Sequence, residues 1–186
     1  MKLRSDSRRW GSVTKSLHWI IALAVITLLC VGVWMVDLPI SAGKVRIYAL
    51  HKSVGITVLV LMLVRIAWRL NEGTRPELPF GMPQWERAAA WSSHLLLYVA
   101  LLVMPLSGWL FNSAANFPLQ WFGWLTIPGL TGPDPEIKVV ARAVHHWTAC
   151  ALIALLSLHV LAALKHRFID RDEILRRMLP GRNTRR

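Results

Sequence analysis

Six of the seven histidines in this chain, His18, His51, His94, His145, His146 and His159, fall inside or at the ends of long apolar stretches. An imidazole in such surroundings must find partners for its ring nitrogens, and a neutral ring keeps one lone pair that a metal can take. His145 and His159 are 14 residues apart in a single stretch. On a helix that spacing is about 3.9 turns and about 21 Å, so the two rings lie on nearly one face at two depths. His146 falls on a largely different face and does not share this pattern. A helix carrying two such rings can hold two redox groups, one near each end, provided other helices supply an opposing ring at each depth.

The elements that must position these rings are membrane spans. Four apolar runs, Leu17–Val36, Leu50–Leu70, Trp91–Phe111 and Ala143–Leu164, reach the roughly 20 residues that cross a hydrocarbon core about 30 Å thick. The first, third and fourth contain no Lys, Arg, Asp or Glu, and the second has Lys52 at its start with Arg65 and Arg69 near its end. With 54% of residues hydrophobic against 17% charged, an ordinary soluble domain is excluded. A formal charge of +12 on a hydrophilic chain would point to nucleic acid. Here 19 of the 22 Lys and Arg residues sit outside the runs, so the partner they predict is membrane lipid and not nucleic acid.

Lys and Arg number five in residues 1–16, two in 37–49, two in 71–90, two in 112–142 and eight in 165–186. The positive-inside rule therefore places both termini and the 71–90 loop in the cytoplasm, and 37–49 and 112–142 outside. The first run lacks a small-residue cleavage site and is expected to stay attached as a helix. The predicted fold is all-α, an integral-membrane four-helix bundle forming one domain over residues 1–186. Asn71–Pro83 reads as a Pro-rich connector. The 112–142 segment, with Phe117, Trp121, Phe122 and Trp124, reads as an outer stretch lying in the interface as a partial lid.

Topology sets the depth of each histidine. His51 and His145 both stand at the outer ends of their spans, while His18 and His159 both stand at inner ends, which gives the pairs His51–His145 and His18–His159. Two imidazoles on facing helices are how a b-type haem is held without a covalent bond, and a six-coordinate iron suits outer-sphere electron transfer. Cys30 and Cys150 lie inside apolar runs and no Cys-x-x-Cys-His segment occurs, so covalent haem attachment is excluded. Four residues after the paired histidines stand Ala22, Gly55, Ala149 and Ala163, small enough to leave room for a porphyrin. The residue at that step from His94 is the bulky Tyr98. His94 stays the alternative to His18 as inner ligand, and is also a candidate for a quinone site or a propionate contact. Arg65, 14 residues after His51, is placed to pair with propionates of an inner haem. Lys44, Arg46, Lys52, Lys138 and Arg142 would form a positive funnel outside for propionates or an anionic reductant. Zinc would want a clustered ligand set, and the spans carry no carboxylate for ion transport.

These residues resemble the bacterial cytochrome b561 family of four-helix di-haem membrane proteins. The likeness runs through Ser16-Leu17-His18-Trp19, Leu50-His51-Lys52-Ser53-Val54-Gly55 and the Leu61–Leu70 stretch with Arg65. It continues through His94, Met104-Pro105-Leu106-Ser107-Gly108, His145 and Leu158-His159. The His145-His146 doublet is a departure that puts a second imidazole beside the outer ligand. The resemblance implies two non-covalent haem b groups, ubiquinone or its quinol as a membrane partner, and a multi-pass location in the bacterial inner membrane. Some members of that family are similar to superoxide oxidases. By resemblance, the expected function is an oxidoreductase moving electrons between an external one-electron donor, a small anion such as superoxide, and ubiquinone. The alternative is a haem-bearing anchor that docks a separate soluble dehydrogenase or hydrogenase.

Overall fold

The computed structural model describes residues 2–179. Four long helices dominate it: α1 (Ser12–Val36), α2 (Ala42–Glu72), α3 (Gln84–Ala114) and α4 (Pro135–Phe168). A short hairpin of β1 (Leu119–Trp121) and β2 (Leu125–Ile127) joins α3 to α4, and a single turn of helix, α5 (Ile174–Met178), follows α4. All four long helices are apolar and long enough to cross a membrane, and only 6% of the most apolar window of α4 is buried within the protein. Side chains such as Leu23, Val33, Trp147 and Leu161 are exposed on these helices, which only a lipid environment accommodates. Seven residues of the basic 165–186 tail, 180–186, lie outside the described residues, as does Met1.

Each helix is longer than its apolar run because hydropathy sees only the hydrocarbon-facing part. Polar ends extend the helices and are capped there. The hydroxyl of Ser41 accepts the Lys44 N–H at 3.2 Å to start α2, and the Asp134 carboxylate accepts the N–H groups of Glu136 and Ile137 at 2.9 Å each, with Pro135 in the first turn of α4. The expected 37–49 loop shrinks accordingly to a tight turn.

The helices pack in chain order, α1 along α2, α2 against α3 and α3 along α4, and α1 and α4 are not a closely packed pair. Ile21 and Val25 of α1 meet Val58 and Met62 of α2 in one cluster, and Leu97 and Ala100 of α3 meet Leu152 of α4 in another, with Leu29, Leu101 and Leu156 shared by both. This apolar middle separates the two ends of the bundle.

The hairpin departs from a purely helical chain and gives the 112–142 segment its shape. Phe122 and Gly123 both take positive φ, 51° and 78°, as a tight hairpin turn requires. It is fastened to α2 by polar contacts: Trp121 Nε1 donates to Thr57 Oγ1 at 3.0 Å, Ser53 Oγ donates to the Gln120 carbonyl at 3.1 Å, and the Phe122 N–H donates to Ser53 Oγ at 3.0 Å.

At the opposite end a buried carboxylate ties the N-terminal segment down. Glu72 accepts from the Ser5 N–H at 3.0 Å, the Ser5 hydroxyl at 2.5 Å and the Thr14 hydroxyl at 2.9 Å, and Arg69 stacks over Trp10 with its guanidinium carbon 4.6 Å from the ring centre. Gly11 must be glycine, because a Cβ there would strike the Leu3 carbonyl. Glu72 lies just past the second apolar run, where a hydropathy reading registers only a connector.

Candidate functional site

At the hairpin end, His51 of α2 and His145 of α4 line one partly open cavity. All four long helices contribute to its wall, and the two imidazoles are its only ionisable groups among Val25, Leu29, Gly55, Leu101, Met104 and their neighbours. A Cβ added at Gly55 would meet nothing within 4 Å. The glycine therefore opens onto free volume one turn from His51.

Two other glycines seat the rings themselves. A Cβ on Gly108 of α3 would come within 3.0 Å of His145 Cε1 and 3.2 Å of its Nδ1, and a Cβ on Gly32 of α1 within 3.3 Å of His51 Cε1. His145 Nδ1 lies 3.0 Å from the Met104 carbonyl and 3.2 Å from Ser107 Oγ, while the Ser107 hydroxyl donates to that same carbonyl at 2.9 Å. A carbonyl can only accept, so Nδ1 carries the proton and Nε2 is left with the lone pair, the tautomer a metal ligand needs. Pro105, inside α3, has no N–H for the preceding turn and loosens the helix where these contacts form. His51 Nδ1 is buried with no hydrogen-bond partner among the described residues.

At the other end, the rings of His18 and His159 have centroids 6.3 Å apart and planes inclined at 59°. Two imidazoles ligating one metal from opposite sides, with bonds of about 2 Å and a ring radius of about 1.1 Å, have centroids roughly 6 Å apart. The His94 ring instead meets His159 edge-on at 5.3 Å and 89°, which leaves no room for a metal between them. His94 is exposed, and its Nδ1 donates to the Ala90 carbonyl at 2.5 Å. Arg65 reaches into this layer: its Nε donates to the Tyr98 hydroxyl at 3.0 Å and its Nη1 lies 3.3 Å from His18 Nδ1. His146 is exposed with its ring against Trp147.

Paired imidazoles, set in apolar walls around His51 and His145 and beside Arg65 around His18 and His159, suit an iron porphyrin better than zinc. Among the described residues, the three carboxylate and imidazole groups close enough to share an ion are Glu86, His166 and Asp170, with His166 two turns beyond His159 on α4. The Lys165 ammonium already fills that position, 2.8 Å from Glu86 and 2.7 Å from Asp170. The free volume at Gly55, the orphaned His51 Nδ1 and the preset tautomer of His145 all fit a haem in the outer layer.

The five basic residues of the expected rim fall into two groups. The Lys44 ammonium caps the end of α1 by donating to the Val36 and Leu38 carbonyls at 3.0 and 2.6 Å, and Lys52 donates to Asn112 Oδ1 and the Pro118 carbonyl at 3.1 and 3.0 Å. Helix-end and loop carbonyls claim these two, leaving Arg46, Lys138 and Arg142 exposed. Gly32 escaped the sequence reading, and Met104–Gly108 entered it only as a mark of resemblance, with no role for Ser107, Gly108 or the Met104 carbonyl. Their one visible signal was a proline and a glycine flanking a serine inside a span.

Residues 9–181 match the family described as prokaryotic cytochrome b561. Cytochrome b561 homolog 2 of Escherichia coli (strain K12) is 34% identical over 180 residues, covering 96% of this chain and 95% of the relative. Cytochrome b561 homolog 1 of the same organism is 30% identical, covering 94% and 98%. A probable superoxide oxidase CybB of Yersinia pestis is 26% identical over 93% of this chain and 97% of its own length. Matched along nearly its whole length and built on four membrane-crossing helices, the chain belongs to the prokaryotic cytochrome b561 family of membrane electron-transfer proteins, whose members bind haem b.

Proposed function

We propose that this protein carries two haem b groups, an outer one between His51 and His145 and an inner one between His18 and His159. Through them it passes electrons from a small anionic donor outside the bacterial inner membrane to ubiquinone within it. The reading rests on one observation above others: the four rings assemble from three separate helices into two layers, one of them with the 6.3 Å spacing of opposed ligands. Haem supplies the reversible one-electron chemistry, and the protein's side chains hold, space and insulate it. Both termini lie in the cytoplasm in this orientation, which the eight basic residues of 165–186 support.

Superoxide is the donor we favour, since a probable superoxide oxidase is a relative over almost its full length and Arg46, Lys138 and Arg142 remain exposed on the outer side to attract an anion. His94 sits beside His159 and is exposed, which makes it our candidate for a contact with quinone. A pyridine haemochrome assay on the detergent-purified chain tests the proposal. Two b haems per polypeptide, with reduction by superoxide and reoxidation by added ubiquinone, are expected; one haem or none removes a layer or the whole reading. Copurification of a soluble dehydrogenase, with no turnover by the isolated chain, would favour the anchor role instead.

A further inference from the structure

We propose that His146 and Cys150 form a site for one Cu(I) ion on the exposed face of α4. The His145–His146 doublet gives α4 two imidazoles in succession near the hairpin end, and the helix turns by about 100° between them. His145 lines the cavity with its Nδ1 on the Met104 carbonyl. His146 is exposed and takes no part in either histidine layer. One turn further along, Cys150 is exposed on the same face as His146, with its Sγ 3.9 Å from His146 Nε2. The Trp147 ring flanks that imidazole edge-on, with 5.5 Å between centroids and 72° between planes. Polar side chains on a face turned to lipid have no water to satisfy them, and a thiol is a weak partner for an imidazole. Cys30, the chain's other free cysteine, is also exposed, but the one histidine on its helix, His18, is twelve residues away.

The chemistry of the pair selects the ion. Imidazole nitrogen and thiolate sulfur together favour soft and borderline metals, Cu(I) and zinc among them. With metal bonds of about 2.0–2.1 Å to nitrogen and about 2.3 Å to sulfur, the 3.9 Å separation corresponds to an angle of about 125° at the ion. Zinc asks for four ligands at tetrahedral angles, and this pair supplies two at a wider angle. Cu(I), singly charged and soft, is satisfied by two strong donors. Charge points the same way. As the ion binds, the thiol gives its proton to water, the Cu–S and Cu–N bonds form, and copper keeps its oxidation state. Cu(I), thiolate and neutral imidazole then sum to zero. Zn(II) on the same two ligands would leave a net positive charge against hydrocarbon, a costly arrangement. The exposed guanidinium of Arg142, one turn before His146, would add repulsion.

The test is competition for Cu(I) between the detergent-purified protein and a chromophoric Cu(I) chelator, without oxygen, with haem content and thermal unfolding of each variant measured alongside. One Cu(I) per chain is expected at this site, unchanged in C30S. C150S and H146F should each weaken it by more than about 100-fold, beyond the roughly 10- to 100-fold lost when a group that merely supports a metal ligand is removed. X-ray absorption at the copper edge should show one sulfur neighbour beside nitrogen. Undiminished binding in C150S or H146F, loss in C30S, or Zn(II) held as tightly as Cu(I) by the same two residues overturns the proposal. Two sulfur neighbours also overturn it, since the ion would then be shared between two chains. If C150S or H146F fails to fold, C30S alone carries the test. Cys150 is then the one thiol in the chain, and Cu(I) should protect it from a maleimide; labelling at the same rate with and without Cu(I) overturns the proposal. Neither readout depends on how many haems the histidine layers hold.

Discussion

Gly55→Ala separates a haem cavity from a mere packing defect. A Cβ at position 55 meets nothing within 4 Å, so the polypeptide alone has no reason to resist the change. In a helix interior, alanine in place of glycine is worth about 1 kcal/mol in favour of the folded chain. The haem-free protein should therefore unfold at the same temperature or a few degrees higher. A porphyrin lying in that space would meet the new methyl group directly, between rings seated on Gly32 and Gly108 that have no slack. Overpacking of this sort costs about 1–3 kcal/mol, which at about 1.4 kcal/mol per tenfold is roughly a 5- to 150-fold weaker hold on the outer haem. The assay is stepwise addition of haem to the haem-free protein in detergent, followed by absorbance, with thermal unfolding of the haem-free form in parallel. One haem bound at the original affinity and a second bound weakly or lost is the expected result. Two haems bound with unchanged affinity would refute the assignment of the cavity, and a destabilised haem-free protein would show that the space at Gly55 is not free.

His145→Ala should abolish the outer haem and leave one haem per chain, and His159→Ala should do the converse, measured by haem content; equal loss of both from either variant would contradict the layered pairing. His94→Ala is expected to retain two haems and to raise the KM for ubiquinone, since the exposed His94 ring lies edge-on to His159. Loss of a haem there would make His94 a ligand in place of His18. Glu72→Ala strips the acceptor from Ser5 and Thr14. Because hydrogen bonds to a charged group are worth about 1.5–3 kcal/mol each and are not additive, the folded state should lose about 3 kcal/mol, with haem content intact. Thermal unfolding in detergent reads this directly, and a change under about 1 kcal/mol would mean the N-terminal segment is not held by that carboxylate.

What the sequence made legible is what depends on one dimension. Hydropathy marks a span whichever neighbours it has, and the 14-residue step from His145 to His159 puts two rings on one face from helix geometry alone. What stayed hidden depends on which backbone atom comes to which side chain. That Lys44 caps the end of α1 and Lys52 ties down the Asn112–Pro118 loop, each keeping its charge, is not written in their sequence neighbours. The hairpin was missed because its strands are three residues long and its turn uses Phe122-Gly123 in place of an asparagine-glycine pair. Glu72 was missed because its partners, Ser5 and Thr14, are more than fifty residues away in sequence.

The Met104–Gly108 stretch shows why such contacts matter most at the site. Its proline, serine and glycine could each be put down to ordinary membrane-helix composition. In three dimensions they act on one ring: the carbonyl before Pro105 takes the Nδ1 proton, Ser107 flanks the same proton, and Gly108 lets the ring lie against the backbone. A substitution at any of the three should therefore disturb His145 without touching the apolar pattern that makes α3 a span. In this fold the spans are specified by side-chain hydrophobicity and the electronics of the site by the backbone of a neighbouring helix, and the two can vary independently.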